Sequence, residues 1–135
     1  MCHVLIIDDE PSDREVLAAV LWVPSRSPYE FHFAPDGERG LRIAAALAEA
    51  AHGDTAAVIC CDLVMPEMNG LEFCVRLRAD PATRALPLLA VTGLDAPEIW
   101  ADLLDAGADG IVLKPYDPRE VRNRVGALAR EGRGS

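Results

Sequence analysis

The chain has 135 residues, of which 50% are hydrophobic and 26% are charged, and its formal net charge at neutral pH is −9. This length and composition predict one globular domain that buries its own core. The negative charge disfavours direct binding to nucleic acid, and the apolar stretches are too short for membrane insertion. Because the first predicted strand begins at residue 3, we expect no signal peptide and a cytoplasmic protein.

Strand and helix patterns alternate five times along the chain. The predicted strands are short and mostly continuous in apolar residues, which is typical of parallel sheets covered by helices on both faces. They span residues 3–7, 29–34, 56–61, 87–91 and 110–113. The second strand alternates polar and apolar residues, so we expect it to be the most exposed.

A segment with helical periodicity follows each strand. The first helix is predicted to begin at a capping box, Ser12-Asp13-Arg14-Glu15. The other helices are predicted from about Gly37 to Ala51, from Asn69-Gly70 to about Asp80, from Asp95-Ala96-Pro97 to Gly107, and from the N-cap Asp117 onward.

This repeated strand–helix pattern predicts an α/β fold with right-handed crossovers and a doubly wound parallel sheet. The pattern is not interrupted by a linker, an internal repeat or a low-complexity segment. We therefore predict one domain over residues 1–130, with a surface loop at 24–28 and a flexible tail at 131–135. Since the domain fills the chain, no separate output module is expected.

Polar residues follow four of the predicted strands. Asp8 and Asp9 come after the first strand, Asp62 after the third, Thr92 after the fourth and Lys114 after the fifth. Ligands of open α/β sheets bind at the carboxyl ends of the strands, and a carboxylate there is costly unless a cation meets it. These five side chains therefore predict one functional site rather than scattered surface ion pairs.

The chemistry of this set favours phosphoryl transfer. Three clustered carboxylates either raise a pKa or hold a cation, and oxygen ligands without nearby His or Cys favour Mg²⁺. The amine of Lys114 and the hydroxyl of Thr92 suit phosphoryl oxygens. A carboxylate can also accept a phosphoryl group covalently, with catalysis resting mainly on position and charge.

Four segments enclose these residues: Val4–Glu10, Asp62–Gly70, Val91–Gly93 and Ala106–Tyr116. In this order and spacing they resemble the receiver domain of bacterial two-component response regulators, over residues 3–130. The resemblance implies a flavodoxin-like (βα)5 fold whose five-stranded sheet has the order 2-1-3-4-5. It also implies a phosphorylation-dependent signalling switch, which catalyses only its own phosphorylation and dephosphorylation.

The resemblance assigns the acidic residues to two roles. Asp62 is the expected phosphoacceptor. The expected Mg²⁺ ligands are Asp9, Asp62 and the backbone carbonyl of Val64, with Asp8 acting largely through water. We expect this Mg²⁺ binding to be weak before phosphorylation.

The remaining site residues are expected to respond to the phosphoryl group. Thr92 and Lys114 would hold its oxygens, and a cis peptide bond between Lys114 and Pro115 would aim the lysine into the site. The family usually has an aromatic switch residue three positions before the lysine, where this chain has Ile111. We therefore expect the switch to act through the loop after Thr92 and the fourth helix.

A second departure from the family concerns phosphoryl lifetime. Val64 and Leu94 occupy positions that often carry polar side chains, and neither can hydrogen-bond an attacking water. We therefore expect a comparatively long-lived phosphorylated state.

The expected phosphoryl donor is a histidine kinase or a histidine phosphotransfer protein. The expected downstream target is a protein that binds the face formed by the fourth helix, the fifth strand and the fifth helix. Two alternatives stay open: a receiver domain from a longer response regulator or hybrid kinase, and a phosphorylation-independent adaptor. Two enzyme or cofactor-binding classes are disfavoured. A metal-dependent phosphohydrolase would need an acidic residue at position 64, where this chain has Val64. A flavodoxin would need a Ser/Thr/Gly-rich loop at residues 8–11, where this chain has Asp-Asp-Glu-Pro.

Overall fold

The computed structural model describes residues 1–22 and 29–133, and within them five strands alternate with five helices. The strands are β1 (Cys2–Ile7), β2 (Tyr29–Ala34), β3 (Ala56–Cys61), β4 (Leu88–Thr92) and β5 (Gly110–Leu113). The helices are α1 (Pro11–Leu21), α2 (Gly37–Ala50), α3 (Gly70–Ala79), α4 (Pro97–Ala106) and α5 (Pro118–Glu131). The loop predicted at residues 24–28 lies outside the described residues.

All five strands run parallel in the order β2-β1-β3-β4-β5, so the predicted fold class and strand order are confirmed. Backbone hydrogen bonds continue the ladders past the strand ends. The N–H of Asp62 donates to the carbonyl of Ile7 over 2.9 Å, and the N–H of Lys114 donates to the carbonyl of Thr92 over 2.7 Å. These bonds align the carboxyl ends of neighbouring strands, which is where the polar residues lie.

The sheet buries a separate core on each face, because alternate residues of a strand point to opposite sides. Leu5 and Ile7 of β1 pack in one cluster with residues of α2, α3 and α4, including the fully buried Phe73. Val4 and Ile6 pack in the other with residues of α1 and α5. Apolar burial on both faces holds the strand ends in fixed positions.

The predicted capping box of α1 is wrong. The helix begins at Pro11, and its N-cap is Glu10, whose side chain makes no capping hydrogen bond to a described residue. Proline is preorganised for the first helical position, so Ser12 falls inside the first turn. Asp13 is then free to reach across to Lys114.

The other predicted helix ends are confirmed. Asn69 and Asp117 are the N-caps of α3 and α5, and Gly107 ends α4 in a left-handed conformation.

The carboxyl-terminal helix extends one residue beyond the predicted domain boundary, to Glu131. Arg133 then returns to the domain, where its Nε lies 3.0 Å from a carboxylate oxygen of Asp109. Its guanidinium also donates to the carbonyls of Arg84 and Gly107. The part of the predicted tail that the structure describes is therefore in contact with the domain. None of the helices in the described ranges is long and apolar enough to cross a membrane.

Candidate functional site

Three carboxylates meet at the carboxyl ends of the two central strands. Asp8 and Asp9 follow β1, and Asp62 follows its neighbour β3; one carboxylate oxygen from each lies within 4.8 Å of the others. Asp8 is buried and Asp9 is exposed, while the side chain of Asp62 is 12% exposed. The adjacency of β1 and β3 thus produces the acidic cluster predicted from the sequence.

Lys114 lies among these acids at the end of β5. Its Nζ is 3.0 Å from Asp8 Oδ2, 3.2 Å from Asp13 Oδ2 and 4.0 Å from Asp62 Oδ2. Partial burial disfavours the charge on Lys114, but the hydrogen bonds to Asp8 and Asp13 and the charge of Asp62 outweigh it, so the pKa of Lys114 is raised. The lysine is held as a cation. The Lys114–Pro115 peptide bond is cis, which is the isomer expected from the sequence.

The carboxylate of Asp62 is less well compensated than that of Asp8. Asp8 accepts hydrogen bonds on both oxygens, from the N–H of Glu10 over 3.0 Å and from Lys114. Asp62 accepts a longer bond, 3.4 Å, from the N–H of Val64. Burial raises the pKa of Asp62; Lys114 lowers it, and the nearby charge of Asp8 raises it. A cation at this cluster would relieve the excess negative charge.

Thr92 is the last residue of β4 rather than the residue after it, and it is fully buried. Its Oγ1 accepts a hydrogen bond from the N–H of Leu94 over 3.1 Å. The hydroxyl therefore lies at the base of the β4–α4 loop and fixes the first turn of that loop.

A family model for the response regulator receiver domain matches residues 4–126. The chain belongs to this family. Receiver domains are phosphoacceptor switches of two-component signalling, not enzymes that turn over a separate substrate. They bind Mg²⁺ at an acidic pocket and interact with histidine kinases and downstream effectors.

Known proteins similar to this receiver domain include two transcriptional regulators. The chain is 33% identical over 130 residues to the DNA-binding dual master transcriptional regulator RpaA of Synechocystis sp., covering 96% of this chain and 50% of that protein. It is also 33% identical over 128 residues to the transcriptional regulatory protein SrrA of Staphylococcus aureus, covering 95% and 48%. The chain therefore spans about half the length of the curated relatives it matches.

Solved receiver-sized structures match over nearly their whole length. Chemotaxis protein CheY4 of Vibrio cholerae is 30% identical, with a TM-score of 0.75 and coverage of 95% of this chain and 98% of that one. A putative response regulator from Chloroflexus aurantiacus is 29% identical, with a TM-score of 0.77 and coverage of 95% and 97%.

In this receiver domain the switch position is occupied by a short branched side chain. Ile111 lies in the middle of β5, half-buried, and packs against the core cluster on the α4 side of the sheet. Val64 is 58% exposed and Leu94 is half-buried, so an apolar side chain stands at both positions predicted to tune phosphoryl lifetime. That long lifetime stays a prediction.

Three contacts of the site were missed by sequence reasoning. Asp13 pairs with Lys114, and Arg14 Nη1 donates to the backbone carbonyl of Asp8 over 2.7 Å. Trp100 Nε1 donates to the carbonyl of Leu94 over 2.9 Å, which ties α4 to the β4–α4 loop. No local pattern in the sequence indicates the contact of Asp13, because the direction of its side chain depends on how α1 is rotated against the sheet.

A cavity of about 330 Å³ opens directly beside the acidic cluster. It lies between α1 and the β5–α5 loop and is mostly apolar below the acids, with Asp13, Leu17, Val20 and Tyr116 among its lining residues. The cavity leaves the acidic cluster open on the α1 side, where Asp8, Asp62 and Lys114 line it.

Proposed function

We propose that Asp62 accepts a phosphoryl group from a histidine kinase or a histidine phosphotransfer protein. A carboxylate oxygen of Asp62 attacks the phosphorus, the P–N bond to the donor histidine breaks, and an acyl phosphate forms on the aspartate. Water later attacks that phosphorus, releasing inorganic phosphate and restoring the carboxylate. Each step forms one bond at phosphorus and breaks another. The protein therefore has to position the reacting groups and neutralise the charge of the phosphoryl oxygens.

The engagement of the carboxylate oxygens supports Asp62 over its neighbours as the acceptor. Both oxygens of Asp8 already accept hydrogen bonds. Asp9 is exposed at the entrance to α1. Asp62 Oδ2 lies 4.0 Å from the Lys114 amine, which is near but outside hydrogen-bond distance. It therefore combines partial burial, a nearby cation and an oxygen that is free of a short hydrogen bond.

The donor atoms at the cluster fit Mg²⁺, since they are oxygens without a nearby imidazole or thiolate. Asp9, Asp62 and the Val64 carbonyl would hold the ion, and Asp8 would act largely through water. When bound, magnesium supplies the positive charge that lets a phosphoryl group approach three carboxylates. Lys114 would hold a second phosphoryl oxygen. The Thr92 hydroxyl would hold a third once it gives up its hydrogen bond from the N–H of Leu94.

Labelling with acetyl phosphate and Mg²⁺ tests this proposal. The wild-type protein is expected to gain the mass of one phosphoryl group, and Asp62→Asn is expected to gain none. Asp54→Asn serves as the matched control because Asp54 is an exposed acid in the turn before β3. Label that persists in Asp62→Asn, or that is absent from the wild type, contradicts the assignment and favours a phosphorylation-independent adaptor.

We place the output surface on α4, β5 and α5. The β4–α4 loop leads from Thr92 through Leu94 to Trp100, so a movement of the hydroxyl can pass to α4 through two hydrogen bonds. Leu104 on α4 is half exposed and offers an apolar contact to a partner protein.

We also propose a cytoplasmic location. All four cysteines are free thiols, which is typical of proteins in a reducing compartment.

A further inference from the structure

Two histidines and a glutamate meet near the amino-terminal ends of β1 and β2. His3 of β1 is paired with Glu30 of β2, and His32 follows two residues along the same strand. Paired residues of neighbouring strands, and residues two apart in one strand, point to the same face. All three side chains therefore project from one side of the sheet.

The side-chain atoms of these residues converge on one point. His3 Nδ1 lies 3.1 Å from His32 Nε2. Glu30 Oε2 lies 3.7 Å from His3 Nδ1, and Glu30 Oε1 lies 4.0 Å from His32 Nε2. In a tetrahedral zinc site, metal–nitrogen bonds of about 2.0–2.1 Å separate two ligand nitrogens by roughly 3.3 Å. The imidazoles need to part by only a few tenths of an ångström to admit an ion.

Burial makes this trio partly preorganised. The side chains of His3 and His32 are 14% and 28% exposed, so the sheet and its neighbours restrict their rotamers. Glu30 is 53% exposed and can adjust its carboxylate to a bound ion. Solvent can supply the remaining ligand from the exposed side, as in sites with three protein ligands and one water.

We infer that His3, Glu30 and His32 form a binding site for a divalent transition-metal ion such as Zn²⁺. Two imidazole nitrogens and one carboxylate oxygen suit zinc and its neighbours, whereas Mg²⁺ prefers oxygen ligands alone. The site is separate from the acidic cluster: His3 precedes Asp8 by five residues along β1, about 16 Å at the rise of a parallel strand.

The bound ion would fasten β2 to the sheet. β2 is an edge strand and is paired only with β1 within the described sheet. Ligands from both strands would add a cross-strand link at the end where their pairing begins. The competing arrangement is a hydrogen bond from one neutral imidazole to the other, which uses the same two nitrogens and excludes the ion.

Titration with Co²⁺, followed by visible absorption, and with Zn²⁺, followed by calorimetry, tests the inference. One ion is expected per chain at this trio, counted in the presence of excess Mg²⁺, which competes for the oxygen ligands of the acidic cluster. His3→Gln and His32→Gln are each expected to weaken binding by about tenfold or more, because each removes an imidazole ligand. Glu30→Gln is expected to weaken binding by less, because the Glu30 side chain is more exposed and a water can replace its carboxylate. Melting curves in EDTA establish that each variant is folded.

Three controls separate this site from others. His52→Gln should bind normally, because His52 is an exposed histidine outside the trio. Cys2→Ser and Asp62→Asn should also bind normally, which excludes the nearby thiol and the acidic cluster as the site. Absence of binding to the wild type, or unchanged binding to His32→Gln, overturns the inference. The second outcome would assign the ion to ligands other than this trio.

Discussion

At the scale of single residues, the amine of Lys114 interacts with three carboxylates at once. Its closest partners are Asp8 and Asp13, while the proposed acceptor Asp62 is farthest, at 4.0 Å. A lysine that is to hold a phosphoryl oxygen must exchange one of these contacts for the new one. Asp13 is the most exposed of the three, and it therefore sets part of the cost of that exchange.

We expect Asp13→Asn to speed phosphorylation by acetyl phosphate. The variant removes one ion-pair partner of Lys114 and one negative charge near the incoming phosphoryl group. An ion pair with a half-exposed partner is worth at most about 1 kcal/mol, so the gain should be about two- to fivefold. Initial labelling rates at saturating Mg²⁺ measure it. Asp95→Asn is the control, and a rate equal to or below that of the wild type would count against a competing role for Asp13.

At the scale of elements, α3 begins directly against the end of β3. A Cβ on Gly70 would lie 2.6 Å from the carbonyl oxygen of Asp62 and 2.8 Å from Leu63 Cα. These are backbone atoms and cannot rotate away. The close approach explains why the helix that follows Asp62 must begin with glycine.

We expect Gly70→Ala to lower the free energy of unfolding by about 1–3 kcal/mol, since backbone must shift to admit the methyl group. The displaced Asp62 should also be phosphorylated more slowly. Urea unfolding and acetyl phosphate labelling measure the two effects. For stability, Gly93→Ala is the control, because its Cβ would meet no described atom within 4 Å. Equal stability of the two variants would refute the packing argument.

The β4–α4 loop and α4 carry the second element-scale prediction. Ile111 is β-branched and has few rotamers to exchange, so we expect it to look alike in both phosphorylation states. The loop over residues 93–97 and α4 should move instead, changing partner affinity by about 1–3 kcal/mol. Crystal structures with and without a beryllofluoride phosphoryl mimic decide between these outcomes. A static α4, or a large rotamer change at Ile111, would be evidence against this account.

Sequence reasoning located the elements well because four of the strands are mostly apolar runs that end at a polar residue or a turn, and β2 shows the alternation of a more exposed strand. It also brought Asp8, Asp62 and Lys114 together, since parallel strands end at one edge of the sheet. It misplaced the start of α1, where Pro11 takes the first helical position ahead of the apparent capping box. The contacts of Asp13 and Trp100 depend on how each helix is rotated against the sheet, which no local pattern specifies.

At the scale of the whole molecule, the acidic cluster links stability to pH. Burial raises the pKa of Asp62, so the folded protein holds this proton more tightly than the unfolded chain does. Ionisation of Asp62 therefore lowers the free energy of unfolding. This loss is absent below the ordinary carboxyl pKa and reaches its full size above the raised pKa of Asp62. Ionised Asp62 therefore destabilises the metal-free fold at neutral pH.

We expect Asp62→Asn to be more stable than the wild type in EDTA at neutral pH, and equally stable at low pH, where Asp62 is protonated. Added Mg²⁺ should stabilise the wild type more than the variant and so narrow the difference. Chemical unfolding over a pH series, with and without Mg²⁺, measures this. Asp54→Asn controls for loss of a surface charge, and a difference that does not change with pH would contradict the linkage.

The hydrogen bond from Trp100 to the carbonyl of Leu94 makes the indole an optical reporter of the switch. Indole emission responds to the polarity around the ring and to its hydrogen bonding, and this ring is tied to the loop expected to move. The other tryptophan, Trp22, is 56% exposed at the end of α1, outside that loop. With Trp22→Phe as background, the fluorescence of the single remaining indole can follow phosphorylation in real time without an attached dye.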